Sequence, residues 1–150
     1  MLKPLTINEI KYLAHRLAID TMGWDEPIPK FETRYPNVLE SCIATPFQKF
    51  ERKNLYAGID GKGAILFYLL IKNHPFQNGN KRLAVASLLV FLYRNNKWIE
   101  VDNKELYNLA VWVAQSPSLA KDEMIIFISK FIKKYLRNFK LSEKWAEIFE

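Results

Sequence analysis

The amino-acid sequence predicts an all-α protein, a bundle of helices around a central apolar helix with at most a small hairpin or flap. Apolar residues recur at three- and four-residue spacing in several segments, which is the period of an amphipathic helix. Two further segments, residues 64–73 and 83–93, are apolar on every side and must therefore be buried at the centre. With 150 residues, 49% of them hydrophobic, the chain is expected to form a single domain over residues 1–150.

The first helix is predicted to start at a capping box. Thr6 and Glu9 have the spacing at which each side chain bonds the other residue's backbone amide. The apolar stripe that follows ends near Met22, and the proline-bearing residues 24–36 predict a loop.

Between this loop and the central helices the pattern changes twice. Asn37 is predicted to cap a short helix over residues 38–44, which ends before Pro46. Residues 46–53 hold aromatic and charged side chains without helical periodicity, so they predict an irregular or weakly extended surface segment.

The two apolar segments have distinct flanks. Glycine-rich residues 58–63 precede the first, but they lack the Gly-Lys-Ser/Thr ending of a P-loop, and Asp60 is predicted to cap helix 64–73. The second segment stops at Asn95 and Asn96, which suit a left-handed helix cap.

The last third of the chain predicts one extended piece and three helices. Residues 98–101 are extended, and a second capping box at Asp102 starts a helix that Pro117 breaks. A long amphipathic helix with its lysines off the apolar stripe follows, and residues 142–150 are expected to add a short terminal helix.

The composition limits the classes of function. A formal net charge of +6 favours acidic partners, but the lysines are scattered and accompany no known DNA- or RNA-binding motif, so nucleic acid is not an expected partner. The single cysteine, Cys42, excludes an intrachain disulfide and a cysteine-rich metal site. The longest apolar run is too short to span a bilayer, so a cytoplasmic protein without a membrane partner is expected.

The strongest functional signal is the run of residues 74–82, His-Pro-Phe-Gln-Asn-Gly-Asn-Lys-Arg. It places the imidazole of His74 before a small-residue turn that opens a helix. Histidine is a general base near neutral pH, and the amides and dipole of a helix N-terminus bind anions. Two cations in the first helical turn, Lys81 and Arg82, are disfavoured by the dipole unless an anion lies nearby. We therefore expect a phosphate site with His74 as its catalytic base.

The other residues of the run have expected roles in the phosphate site, and some of them have simpler structural alternatives. Gly79 permits backbone angles closed to other residues and lets a phosphate approach. Asn80 either caps the helix or donates its amide to an anion, and Phe76 is a hydrophobic anchor of the turn. Taken singly, a histidine here more often caps the preceding helix and the cations are more often solvated. The expected phosphate- and nucleotide-binding group is Phe76, Gly79, Asn80, Lys81 and Arg82.

Residues 74–82 resemble the signature of the Fic/Doc (Fido) family, HPFx[D/E]GN[G/K]R, at every fixed position except one. Residues 38–46 are similar to the family's upstream segment LLESALARP, and residues 83–98 to the helix and turn after the motif. The lysine at position 81 is closest to the death-on-curing (Doc) branch, in which phosphate moves to a protein hydroxyl. The glycine form is commoner among enzymes that transfer AMP. The resemblance implies a Fic/Doc-like helical fold and transfer of phosphate, or of AMP, from ATP or another nucleoside triphosphate.

The resemblance also assigns residue roles. His74 takes the base role, the Gly79 and Asn80 region forms the anion hole, and Arg82 contacts phosphate. Residues 46–53 correspond to the flap that holds a target segment by strand addition, for which a plain surface loop is the alternative. The implied flap residues are Phe47, Gln48, Lys49 and Phe50.

Asn78 is the departure from the family pattern. The carboxylate usual at this position holds Mg²⁺ against the nucleotide phosphates, and Mg²⁺ prefers negatively charged oxygen ligands. Asparagine keeps one carbonyl oxygen without the charge, so weakened Mg²⁺ binding is expected. A naturally weakened member, a residue engineered to silence activity, and a metal held by the nucleotide's own phosphates are three open explanations.

The resemblance implies the toxin of a toxin–antitoxin pair, with a translation factor, GTPase or topoisomerase as its protein substrate. Many members are restrained by a segment [S/T]xxxE[G/N], which this sequence lacks, so a separate antitoxin chain is expected. Two alternatives stay open. One is a catalytically inactive Fido domain that binds nucleotide or a partner, and the other is a basic helical nucleic-acid binder.

Overall fold

The computed structural model describes residues 1–23 and 27–138, and it confirms the mostly helical fold. Within those residues six helices and two short antiparallel strand pairs form, while the helix predicted over residues 142–150 lies outside them. The helices are α1 (residues 7–21), α2 (Pro36–Ala44), α3 (Gly58–Lys72), α4 (Asn80–Arg94), α5 (Asn103–Gln115) and α6 (Lys121–Tyr135). The strands are β1 (Lys49–Phe50), β2 (Lys53–Asn54), β3 (Lys97–Ile99) and β4 (Leu136–Asn138).

Helices α3 and α4 form the centre, as their all-round apolarity predicts. Helix α3 packs against α4 and α6, while α4 also contacts α1 and α5. Gly63 lets the central helices approach closely, because a Cβ there would lie 3.1 Å from Leu88 Cδ1 and 3.2 Å from Ile132 Cδ1. The core therefore holds both ends of the segment 73–79 between two rigid elements.

Helix α3 starts at Gly58, six residues before the predicted position 64. The glycine-rich stretch is therefore helical, because burial of α3 between α4 and α6 outweighs the low helix propensity of glycine. The prediction that Asp60 caps this helix is wrong, since Ala57 is the N-cap residue. Asp60 instead accepts a hydrogen bond from Ser129 Oγ of α6 at 2.6 Å.

Of the caps predicted for the first two helices, one is confirmed and one is wrong. The capping box of Thr6 and Glu9 is present, although the middle of α1, Ile10–Ala14, is a π-helix that the sequence pattern does not indicate. Asn37 does not cap α2, because the helix already begins at Pro36 with Tyr35 as the N-cap residue. The fixed φ of proline suits the first helical position, where its missing N–H costs no hydrogen bond.

Residues 49–54 form a hairpin where an irregular or weakly extended segment is predicted. Lys49 pairs with Asn54 and Phe50 pairs with Lys53, and both turn residues, Glu51 and Arg52, have positive φ. This two-residue turn matches the twist of the flanking strands.

The C-terminal third follows the prediction closely. Asp102 caps α5 by accepting from the Lys104 amide at 2.7 Å. Because this bond goes to Lys104 and not to Glu105, the cap is confirmed but the predicted capping box is not. Asn96 has the predicted left-handed conformation, with φ 61°. The extended piece after α4 is the strand β3, which pairs with β4 so that Trp98 lies opposite Arg137. Among the helices described, none combines the length and apolarity that crossing a membrane requires.

Candidate active site

His74 lies directly after the C-terminus of α3. Asn73 is the C-cap residue, and His74 takes the next position with φ 50°, in the left-handed region where glycine is favoured. Its side chain is exposed. An L-residue costs about 1–2 kcal/mol in this conformation. The backbone thus ends the helix while the imidazole is presented at the surface beside the turn.

Asn80 connects the turn to this imidazole. Its Oδ1 accepts from the Phe76 amide at 3.0 Å, and its Nδ2 donates to the Phe76 carbonyl at 2.8 Å. The same Nδ2 lies 3.4 Å from His74 Nδ1. Of the two expected roles of Asn80, helix capping is absent, because Gly79 is the N-cap residue and no side chain caps α4. Asn80 instead fixes the shape of the turn and faces the imidazole ring of His74.

The contact with Asn80 has a consequence for the proton on His74. The two bonds to Phe76 orient the amide so that its NH₂ group, not its oxygen, faces the ring. A donor facing Nδ1 requires a lone pair there, so the neutral ring bears its proton on Nε2 in this arrangement. At 3.4 Å the hydrogen bond from Asn80 to Nδ1 is long and hence weak. The other tautomer, with its lone pair on Nε2, therefore forgoes only a weak hydrogen bond.

Gly79 and Asn78 form the entrance to α4. Gly79 has φ 77°, and a Cβ at this position would lie 3.0 Å from Ile28 Cγ1. Its amide donates to Asn78 Oδ1 at 3.0 Å. The first intrahelical bond runs from the Leu83 amide to the Gly79 carbonyl, so the amides of Asn80 and Lys81 precede the helical ladder. This end of α4 has the geometry of an anion site.

The two cations of the motif have different surroundings. Lys81 is half-buried, whereas Arg82 is only 3% exposed and donates from Nη1 to the Met22 carbonyl at 3.0 Å. Met22 is the C-cap residue of α1, where the helix dipole is negative. Arg82 therefore joins the end of α1 to the start of α4, and its contact with phosphate stays a prediction.

The loop before α2 forms a wall of the turn that the sequence does not predict. Ile28 lies against Gly79, the Phe31 ring is 6.0 Å from the Phe76 ring, and the Tyr35 amide donates to the Pro75 carbonyl at 2.8 Å. His15 is buried beside Phe76 and its Nε2 lies 2.8 Å from the Pro29 carbonyl oxygen. The apolar residues inside a proline-rich loop are the signal that could have indicated this packing.

Phe76 occupies the core beneath the motif. It is 1% exposed and its ring lies 5.9 Å from His15, so it anchors the turn as expected. A side chain at this depth has no surface for direct contact with a nucleotide. Its place in the expected nucleotide-binding group is therefore that of a support.

Of the four expected flap residues, two lie at the base of the hairpin and two lie on strand β1. Phe47 ends the 3-10 turn Thr45–Phe47 and packs its ring 6.2 Å from Phe91, so it secures the hairpin to α4. Gln48 accepts the Leu55 amide at 3.1 Å and closes the hairpin. Lys49 and Phe50 lie on β1 and are exposed. Gln48 is exposed as well, so of the four only Phe47 is partly buried.

Lys62 is a buried cation at the base of the hairpin that sequence reasoning missed. It is 4% exposed, donates from Nζ to the Tyr56 carbonyl at 2.5 Å, and lies 5.1 Å from the centre of the Phe47 ring. Burial, and then the charge of Lys49, lower the pKa of Lys62.

The described residues offer no cluster of three histidine, cysteine, aspartate or glutamate side chains that could hold a metal ion. Asn78 adds one neutral oxygen, which already accepts the Gly79 amide. This donor set does not fit a Mg²⁺ ion held by the protein alone.

Comparison with models of known protein families gives a match over more than half of the chain. The model of the Fic/DOC family matches residues 4–92, which include α1, the hairpin, α3 and the whole motif. The chain therefore belongs to the Fic/DOC family. No curated protein and no solved structure matches it significantly.

Proposed function

We propose that this chain is a Doc-like toxin that transfers the γ-phosphoryl group of ATP, or of another nucleoside triphosphate, to a hydroxyl group of a target protein. The observation that carries the proposal is the convergence of three groups on one turn: His74 in a left-handed C-terminal position, Asn80 facing it, and the N-terminus of α4. Membership of the Fic/DOC family supports it, and Lys81 favours the Doc branch.

Groups of this chain supply the proton acceptor and the charge stabilisation that the proposed reaction requires. The target hydroxyl oxygen attacks the γ-phosphorus, a new O–P bond forms, and the bond to the β-phosphate oxygen breaks to release the nucleoside diphosphate. The hydroxyl proton moves to His74 Nε2, which requires the tautomer with hydrogen on Nδ1. The end of α4 and Lys81 stabilise the negative charge of the phosphates. Because the donor set does not fit a protein-held Mg²⁺, no step depends on a metal ligand from Asn78.

The target protein is expected to bind beside the hairpin. Strand β1 has one paired neighbour, β2, within the described chain, so its other edge can add a strand from a partner. In the toxin role, a translation factor, GTPase or topoisomerase is the substrate. A separate antitoxin chain restrains the activity, and it would co-purify as a small acidic protein when the two genes are expressed together.

Two labelled nucleotides test the proposal. Incubation with extract of the source cells and γ-labelled ATP should label a protein, while α-labelled ATP should not. Label from the α-phosphate would instead show AMP transfer. Retained ATP binding without label from either position would overturn the proposal and favour an inactive, nucleotide-binding Fido domain, for which Asn78 is the motivating residue.

A further inference from the structure

The face next to the hairpin combines exposed cations with an apolar cavity. Beyond the hairpin turn, Leu55 and Tyr56 lead into α3 and line a cavity of about 310 Å³. Helix α6 forms the opposite wall with Ile125, Ile126 and the lysines at 130 and 133. The cavity therefore continues the hairpin toward α6 on the side where strand β2 ends.

The charge of this face is predominantly positive. On the hairpin, Lys49, Arg52 and Lys53 are exposed and only Glu51 opposes them. Across the cavity, Lys130 and Lys133 are exposed as well. Among residues 1–23 and 27–138 none of these five cations forms an ion pair with an acidic side chain.

The one acidic residue of the cavity is already engaged. Asp60 accepts the Ser129 hydroxyl at 2.6 Å, which joins α3 to α6 across the cavity floor. Beneath the hairpin, the lowered pKa of Lys62 reflects the nearby charge of Lys49 as its second cause, after burial. Five exposed cations therefore outnumber the two carboxylates of this face, Glu51 and Asp60, and the net charge of the face is positive.

We propose that this face binds an acidic, extended segment of the target protein, with acidic side chains between the hairpin lysines and α6 and one apolar side chain in the cavity. The inference rests on the proposed function and adds the substrate class. A polypeptide fits better than a nucleic acid, because the surface offers a strand edge and the apolar walls Leu55, Ile125 and Ile126. Exposed Phe50, at 66%, supplies a further apolar contact on the hairpin.

The test uses fluorescence anisotropy with two fluorescein-labelled peptides of equal length, each containing one serine and one leucine. The acidic peptide carries Glu and Asp at the remaining positions, and the matched peptide carries Lys and Arg. The acidic peptide should bind to the full chain, more weakly at high salt, and the basic one should not. Equal binding of both, or binding of single-stranded RNA in preference to the acidic peptide, would overturn the inference.

Matched variants locate the site. Lys130→Glu/Lys133→Glu should weaken binding of the acidic peptide by about tenfold, because two attractive pairs become repulsive ones. Lys3→Glu/Lys121→Glu, with the same charge change elsewhere, should leave it within about twofold, since distant surface charges are screened. An equal loss in both variants would show a general charge effect and contradict the site.

This experiment separates the inference from the proposed function. Peptide binding requires neither ATP nor His74, so His74→Gly should bind the acidic peptide normally. Normal transfer of label from ATP without a preference for acidic segments would refute the inference alone. Selective peptide binding without transfer would refute the proposed function alone.

Discussion

Nδ2 of Asn80 lies 3.4 Å from Nδ1 of His74, so the first residue of α4 faces the ring that follows α3. This contact places the expected base and the expected anion site on one turn. It also makes the position of the ring depend on an amide whose other bonds hold the Phe76 backbone.

Asn80→Ala should lower both stability and transfer. It removes two bonds to the buried Phe76 backbone, and an orphaned buried polar group costs about 1–3 kcal/mol, so a loss of about 2–4 kcal/mol is expected in urea unfolding. Asn95→Ala is the matched control, because the Asn95 amide also bridges backbone groups, those of Lys3 and Phe91. The control should lose stability while keeping transfer; parallel loss of transfer in both variants would refute a specific role for Asn80.

His74→Gly and His74→Ala separate chemistry from backbone strain. Both remove the imidazole, so both should lower the transfer rate by about 10²–10⁴-fold. Glycine alone relaxes the positive φ, and it should therefore be more stable than alanine by about 1 kcal/mol in chemical denaturation. An alanine variant at least as stable as the glycine variant would contradict the left-handed position of His74.

Gly79→Ala tests the close packing of the turn. The new Cβ would meet Ile28 at 3.0 Å in a backbone conformation with φ 77°. Overpacking and the left-handed conformation together should cost about 2–4 kcal/mol. Gly23→Ala is the control, since nothing lies within 4 Å of a Cβ there. A similar small change in the melting temperature of both variants would show that the Ile28 side chain moves aside at little energetic cost.

Asn78→Asp tests the neutral residue in the motif. The carboxylate keeps an acceptor for the Gly79 amide and adds a negative charge near the start of α4, which is worth about 0.3–1 kcal/mol. Titration calorimetry in the presence of ATP should show tighter Mg²⁺ binding, and transfer should rise. Asn78→Ser serves as an uncharged control. Unchanged Mg²⁺ affinity and turnover would mean that the missing carboxylate does not limit this protein.

Cys42 makes stability depend on pH in alkaline solution. Burial raises the pKa of its thiol to about 11, although a hydrogen bond with Asn73 opposes the shift. The unfolded chain therefore loses this proton first, so the free energy of unfolding should fall as pH rises from about 9 toward 11, by at most about 3 kcal/mol at roughly 1.4 kcal/mol per pKa unit. Cys42→Ala should remove that part of the slope; identical slopes would contradict the shift.

The sequence predicts the helices of this fold well where a local signal exists. The capping box at Thr6 and the all-round apolarity of α3 and α4 have the expected outcome, and at Asp102 the cap is present without the predicted capping box. The start of α3 is missed because tertiary burial outweighs the propensity of six residues that include three glycines. The cap of α2 is missed because Pro36 fits the first helical turn better than Asn37 fits the cap.

The sequence predicts which residues form the candidate site, but it does not predict the long-range contacts that hold them in place. The motif names His74, Gly79 and Asn80, and these lie on one turn. The bond from Arg82 to Met22 joins residues sixty positions apart, and no local pattern encodes it. The same holds for Ile28 against Gly79, since contacts across a core depend on how the helices pack.

The most direct test is a single-turnover comparison of wild type and His74→Gly with γ-labelled ATP and the labelled target, alongside ATP affinity measured by calorimetry. With His74 as the base and the start of α4 as the phosphate site, the variant should bind ATP as tightly as wild type while its transfer rate falls by about 10²–10⁴-fold. Equal transfer rates in the two proteins, or no ATP binding by either, would contradict the account.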